Sequence, residues 1–209
     1  MAALTVARSL NQQLLLPSQR TLLGVARQGW SVLTQIKPST IPGAGNGRFM
    51  MENVAAQKCV CIKPTVRVSS LQSLSCVAPD ECLLFETTDC LEKYISLNVD
   101  HSRERVIQEM AHFMWSLDGK NTYLNASTWT MNHADGLEMH GNLPTIEHSL
   151  ERLGDGTLSV VSRAMQNLAV GTELMNNYRE FVMPDFYLDF CDAHGFKDVR
   201  SAVLEAVGA

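Results

Sequence analysis

The run Gly171-Thr172-Glu173-Leu174-Met175-Asn176-Asn177-Tyr178 decides how this chain is read. Its tyrosine stands seven residues after the glycine and five after the glutamate. Taken alone, such a tyrosine is an ordinary half-buried strand residue. Two further runs precede it in a fixed order: Ile41-Pro42-Gly43-Ala44-Gly45-Asn46-Gly47-Arg48-Phe49, then Asn132-His133 followed by Asn142. Glycine-rich turns, Asn-His pairs and strand tyrosines are each common, so none of the three is specific by itself. Their order and spacing carry the information.

Working outward from Gly171, the segment Ser162–Leu168 reads as a strand and turn leading into the run. Leu143–Leu153 and Thr157–Met165 flank Gly154-Asp155-Gly156 and predict a hairpin. Between His101 and Leu117, apolar residues fall at Val106, Ile107, Met110, Phe113, Met114 and Leu117. That i, i+3, i+4, i+7 pattern predicts a helix with one buried face, capped by Asp100 or Ser102 and ended by Gly119. Ser31–Lys37 reads as a first strand stopped by Pro38. Phe49–Asn53 and Cys59–Ile62 flank Ala55-Ala56-Gln57-Lys58 and predict a second hairpin, and Cys82–Phe85 is another short apolar run. In the first motif, Gly43, Gly45 and Gly47 permit close backbone approach and positive φ. Their spacing is not the G-x-G-x-x-G of a dinucleotide fold, and no G-K-[S/T] follows as a phosphate loop requires.

The chain has 209 residues, 45% of them hydrophobic, which suffices for one globular domain with a core. No run of eighteen apolar residues occurs, so no transmembrane helix and no membrane partner are expected. Residues 1–51 hold five basic residues and no acid, leaving 12 basic against 22 acidic residues from Glu52 onward. That segment's formal charge of about −10 disfavours nucleic acid and attracts a lysine- and arginine-rich peptide. Residues 1–30, acid-free and rich in Leu, Ala, Gln, Ser and Arg, have the composition of an organelle transit peptide or form a frayed N-terminal helix through Leu4, Leu10, Leu14 and Leu15. The first alternative implies a mitochondrial or plastid protein, the second a cytoplasmic or nuclear one. Six cysteines, Cys59, Cys61, Cys76, Cys82, Cys90 and Cys191, lack disulfide-framework spacing and are expected to be reduced. Cys59 and Cys61 read as two residues on one strand face, since a single C-x-C lacks two further zinc ligands.

Together the three motifs resemble a SET domain, the fold of S-adenosylmethionine-dependent protein lysine methyltransferases. The resemblance covers about Ser31 to Tyr178 and implies a mainly β fold with a few helices, in which several small curved sheets surround a threaded C-terminal segment. It implies a domain over residues 31–180, followed at 181–209 by an aromatic and helical lid, with Phe181, Phe186, Tyr187 and Phe190 in the place of the family's cysteine-rich zinc segment. By resemblance, Ala44, Gly45, Asn46 and Gly47 contact S-adenosyl-L-methionine, as do Asn132 and His133. Tyr178 is the implied catalytic residue, lining a narrow channel and orienting the substrate lysine. A phenol with an ordinary pKa near 10 is a poor base, so alignment and hydrogen bonding are its expected role. The chain departs from the pattern at Ala134, where the family has a serine, and in the longer link from Asp135 to Gly141 before Asn142.

The implied function is methyl transfer to a lysine of a protein or peptide. The alternative is a SET-like interaction module without catalysis, suggested by Ala134 and the stretched link. A third reading takes His133, Asp135, Glu138 and His140 as metal ligands. Their order matches no zinc spacing, so no metal is expected. No chromatin-reading module or basic tail accompanies the domain, so a histone substrate is not implied.

Overall fold

In the computed structural model, residues 29–41, 44–126, 131–133 and 143–206 are described. Residues 1–28 of the transit-like segment, Gly43, Ala134, Asn142 and the loop carrying Asp135, Glu138 and His140 lie outside them, whereas Trp30 is described and buried. The molecule is mainly β with a few helices. Strands β1 (Thr34–Pro38), β2 (Asn46–Met50), β6 (Asn132–His133) and β9 (Glu173–Asn176) make one sheet in the order β1-β2-β9-β6. Strands β3 (Cys59–Arg67), β4 (Cys82–Phe85), β5 (Thr122–Asn125), β7 (Ile146–Arg152) and β8 (Leu158–Ala164) make a second in the order β5-β4-β3-β8-β7. The described α-helices are α1 (Thr88–Leu97), α2 (Arg103–Phe113), α3 (Asp185–Ala193) and α4 (Val199–Ala206).

The β7–β8 hairpin forms as its turn residues predict. Ile146 faces Ala164 and Arg152 faces Leu158, and Gly156 takes a φ of 83° that few other residues tolerate. Helix α2 lies inside the expected helical segment and buries Val106, Ile107, Met110 and Ala111. Ser102 caps it, its Oγ accepting from the Arg105 N–H at 3.3 Å. It stops short of Gly119 because Trp115 exchanges backbone hydrogen bonds with Tyr123, at 3.1 and 2.8 Å, and draws the chain into extended form.

Two expectations are corrected and one helix is added. Strands β2 and β3 do not form a hairpin: β2 pairs with β1 and β9, whereas β3 pairs with β4 and β8. Gln57, at a φ of 63°, donates its N–H to the Ala164 carbonyl at 2.7 Å and so redirects the chain into the other sheet. Cys59 and Cys61 do not share a strand face, because a bulge sets them opposite the adjacent residues Arg163 and Ser162. Helix α1 was not foreseen from periodicity; it packs Cys90, Leu91 and Ile95 against the core.

Two apolar clusters hold the fold. The larger gathers Phe85, Leu91, Met110, Trp115, Tyr123, Phe181, Tyr187 and Phe190, among others. The smaller gathers Trp30, Met50, Val54, Met131, Ile146, Leu168 and Leu174, among others. Each fully buried large side chain contributes roughly 2 kcal/mol. Residues after Phe181 belong to the larger cluster: Tyr187, Phe190 and Cys191 fall on one side of α3 and face inward. Of the four aromatic residues expected in a lid, Phe181, Tyr187 and Phe190 are therefore core, and the Tyr187 hydroxyl donates to the Met110 carbonyl at 3.1 Å.

Candidate active site

Strand β9 organises the site. It lies between β2 and β6, antiparallel to the first and parallel to the second. Leu174 and Met175 are buried, and so are the polar Glu173 and Asn176. The Glu173 carboxylate accepts from Ser39 Oγ at 2.7 Å, the Thr40 N–H at 2.8 Å, Thr40 Oγ1 at 2.5 Å and Asn132 Nδ2 at 2.9 Å. Burial alone would raise its pKa, but these hydrogen bonds outweigh burial and hold the carboxyl below the ordinary value. Gly47 lies against the same carboxylate: a Cβ there would stand 2.0 Å from Glu173 Oε1.

Asn132 braces the same junction. Its Nδ2 also reaches Ser39 Oγ at 3.0 Å and the Asn46 carbonyl at 3.4 Å, tying the glycine loop to β6 across 86 residues of chain. The Ser39 N–H donates to the Gly45 carbonyl at 2.9 Å, and Gly45 turns the loop at a φ of 73°. His133 pairs through its backbone with Asn176.

A cavity of about 300 Å³ opens where the two apolar clusters meet. Ala44, Asn46, Asn132 and Tyr178, all expected from the sequence, line it together with Trp115, Asn176 and Phe181. Gly45 and Gly47 sit beside it in the loop and on β2. The Tyr178 ring stacks on Phe181 with centroids 5.2 Å apart and planes 21° apart, and Phe181 lies 5.9 Å from Trp115. Tyr178 begins a short 3-10 turn, Tyr178–Glu180, after the strand rather than ending the strand itself. Its hydroxyl donates to the Met131 carbonyl at 2.8 Å. Burial pushes its pKa up to about 12, against the opposing effect of the Asn176 side chain.

Sequence reasoning missed Trp115, Asn176 and His148. His148 lies mid-way along β7, with Nε2 at 2.7 Å from Asn176 Oδ1 and Nδ1 at 2.9 Å from Ser162 Oγ. A single histidine in a strand carries no local pattern that marks it. Burial lowers its pKa to about 4, against the opposing effect of Asn176. Because the folded pKa lies below the unfolded value near 6.5, the unfolded chain takes up the proton first as pH falls. This contribution to stability is therefore complete above about pH 6.5 and is lost towards pH 4. We expect it to amount to about 2 kcal/mol, allowing for the partly exposed ring. Urea unfolding of the wild type and His148→Phe between pH 4.5 and 7.5 checks this: the difference between the two proteins should shrink as the pH falls. A constant difference would refute it.

No family model matches the chain, and no curated protein does. Solved structures do match. The chain is similar to apo ctPRC2 in an autoinhibited state, at a TM-score of 0.49 and 15% identity over 78% of this chain and 17% of that one. It is similar to ctPRC2 in an autoinhibited conformation bound to S-adenosylmethionine, at 0.47 and 14% over 78% and 17%. It is also similar to the Chaetomium thermophilum Polycomb Repressive Complex 2, at 0.48 and 13% over 84% and 18%. The chain spans less than a fifth of the length of those chains. Fold likeness at such identities brings no chemistry with it, because function lives in side chains rather than in topology.

Proposed function

We propose that the protein is a SET-type methyltransferase that binds S-adenosyl-L-methionine and methylates a lysine of a protein or peptide. One observation carries the reading: three sequence motifs that are far apart in the chain converge on one cavity, with the Tyr178 phenol in its wall. A cavity of about 300 Å³ is at the small end of the range for ligand sites. Its make-up suits the cofactor, since a glycine-bearing backbone loop and two asparagines offer polar groups while Trp115 and Phe181 offer aromatic surface. Ala44, Asn46 and the β6 backbone would hold the cofactor. The Asn132 amide hydrogens are already engaged with Glu173, Ser39 and Asn46, so Asn132 shapes the wall more than it donates to a ligand. When bound, S-adenosyl-L-methionine supplies an electrophilic methyl group on a sulfonium.

Tyr178 remains protonated at neutral pH, because its pKa lies near 12. It therefore does not act as a general base. With its one proton given to the Met131 carbonyl, the phenol can act on a substrate only as an acceptor, and in that role it would orient a lysine N–H and so aim the amine's lone pair. The apolar ring wall disfavours an ammonium and favours the neutral amine that must react.

Calorimetric titration of S-adenosyl-L-methionine into the full chain tests the cofactor half, and transfer of a labelled methyl group to lysine peptides tests the other. Saturable one-to-one binding followed by transfer is the expected result. Absence of binding by a folded sample would refute the reading and leave an interaction module.

A further inference from the structure

A carboxylate offers about four lone-pair sites, and in Glu173 each oxygen takes two donors. Its Oε1 accepts from Ser39 Oγ and Asn132 Nδ2, and its Oε2 from the Thr40 N–H and Thr40 Oγ1. Ser39 and Thr40 follow β1 on the limb that enters the glycine loop, whereas Asn132 begins β6. The limb that leaves the loop is seated by contact instead. A Cβ on Gly47 would fall inside the Glu173 carboxyl group, so the bare backbone packs directly on it. Ser39 then closes the loop, giving its N–H to the Gly45 carbonyl and taking the Ile41 N–H on its Oγ at 3.0 Å. One side chain on β9 thereby fixes both limbs and the neighbouring strand of the segment that brings Ala44 and Asn46 to the cavity.

We propose that Glu173 is a positioning residue: it sets the shape of the loop that receives S-adenosyl-L-methionine, and so governs cofactor affinity rather than the methyl-transfer step. It does not line the cavity itself and acts through Ala44, Asn46 and Asn132, which do. No neutral side chain of the same size can take its place. The Thr40 backbone N–H can only donate, and the Asn46 carbonyl, which can only accept, turns Asn132 Nδ2 towards the same cluster. A glutamine at this position carries one acceptor oxygen and one NH2 group. Whichever way its amide is turned, the NH2 group meets either the Thr40 N–H or Asn132 Nδ2. Tyr178 is held by separate contacts, to the Met131 carbonyl and the Phe181 ring, so the reacting end of the site keeps its place. The positioning role rests on the proposed methyl transfer; the hydrogen-bond cluster does not.

The test has two parts. Amide hydrogen exchange of the ¹⁵N-labelled full chain follows the Thr40 N–H, which belongs to an exposed residue and has the Glu173 carboxylate as its acceptor. It should exchange slowly in the wild type and about tenfold or more faster in Glu173→Gln. A wild type whose Thr40 amide exchanges at the open-chain rate would overturn the cluster whatever the protein catalyses. The second part uses calorimetry with S-adenosyl-L-methionine, and initial rates with the tritiated cofactor and a pool of acetyl-capped lysine peptides. Glu173→Gln should raise the cofactor Kd and KM by about tenfold to a hundredfold, the scale of a lost hydrogen bond to a charged group. At saturating cofactor its kcat should stay within about twofold of the wild type, the signature of lost binding rather than lost chemistry. Val160→Ala, which loosens the larger apolar cluster without touching the loop, should leave both constants unchanged. Should Glu173→Gln fail to fold, Thr40→Val removes a single hydroxyl donor and should raise Kd by roughly threefold at constant kcat. An unchanged Kd in the folded variant, a fall in kcat at constant KM, or an equal rise in KM in Val160→Ala would overturn the positioning role. A wild type that binds no cofactor and transfers no methyl group would refute the functional reading instead, while the Thr40 amide would still decide the cluster.

Discussion

Tyr178→Phe is expected to lower methyl transfer by about a hundredfold or more while leaving cofactor binding in place. The substitution removes one oxygen. The ring keeps its stacking on Phe181 and its place in the cavity wall, so the site's shape is preserved. What disappears, on the proposed function, is the acceptor for the lysine nitrogen, and loss of one preorganised polar contact at a reacting centre typically costs a factor of 10² to 10³. The Met131 carbonyl also loses its donor, at a cost of about 1 kcal/mol in stability, too little to unfold the protein. Initial rates with labelled cofactor and calorimetry on the same sample separate the two effects. A variant as fast as the wild type would remove Tyr178 from the chemistry; one that is slow because it no longer binds cofactor would make it a binding residue.

Gly47→Ala should cost about 3 kcal/mol of folding stability and disorganise the site along with it. The added methyl would fall 2.0 Å from Glu173 Oε1 and 2.6 Å from its Cδ. The carboxylate has nowhere to retreat without releasing donors, since Ser39, Thr40 and Asn132 hold it from two segments of chain. A buried network broken in this way lies at the upper end of single-substitution effects. Urea unfolding gives the magnitude. Gly45→Ala is the useful comparison: its added methyl would meet no atom within 4 Å, so any cost there comes from the positive φ alone. If Gly47→Ala proved as stable as the wild type, the rigidity assigned to the Glu173 cluster would be wrong.

Helix α2 and the β7–β8 hairpin were legible because local chemistry dictates them: a buried face repeating every three to four residues in one, a Gly-Asp-Gly turn in the other. The site residues could be read as types, since Ala44, Asn46, Asn132 and Tyr178 do meet at one cavity. Partner choice was not legible. Nothing in Ala55–Lys58 says that the strands on either side join different sheets, because that outcome depends on the Gln57 contact with Ala164, 107 residues further on. The bulge at Cys59 and Cys61 similarly depends on the register of β8. His148 and Asn176 become informative only when β7 and β9 bring them within 2.7 Å.

Strand β9 enters the sheet late in the chain yet occupies an inner position, with β2 on one side and β6 on the other. During synthesis both neighbours leave the ribosome long before it, each with a row of unpaired backbone groups. A chain halted before Gly171 therefore has neither a closed sheet nor a cavity wall, and it should aggregate rather than act as a weak enzyme, as sedimentation of such a fragment would reveal. Closure of the sheet and completion of the cavity wall therefore coincide, in the step that seats these four residues between β2 and β6.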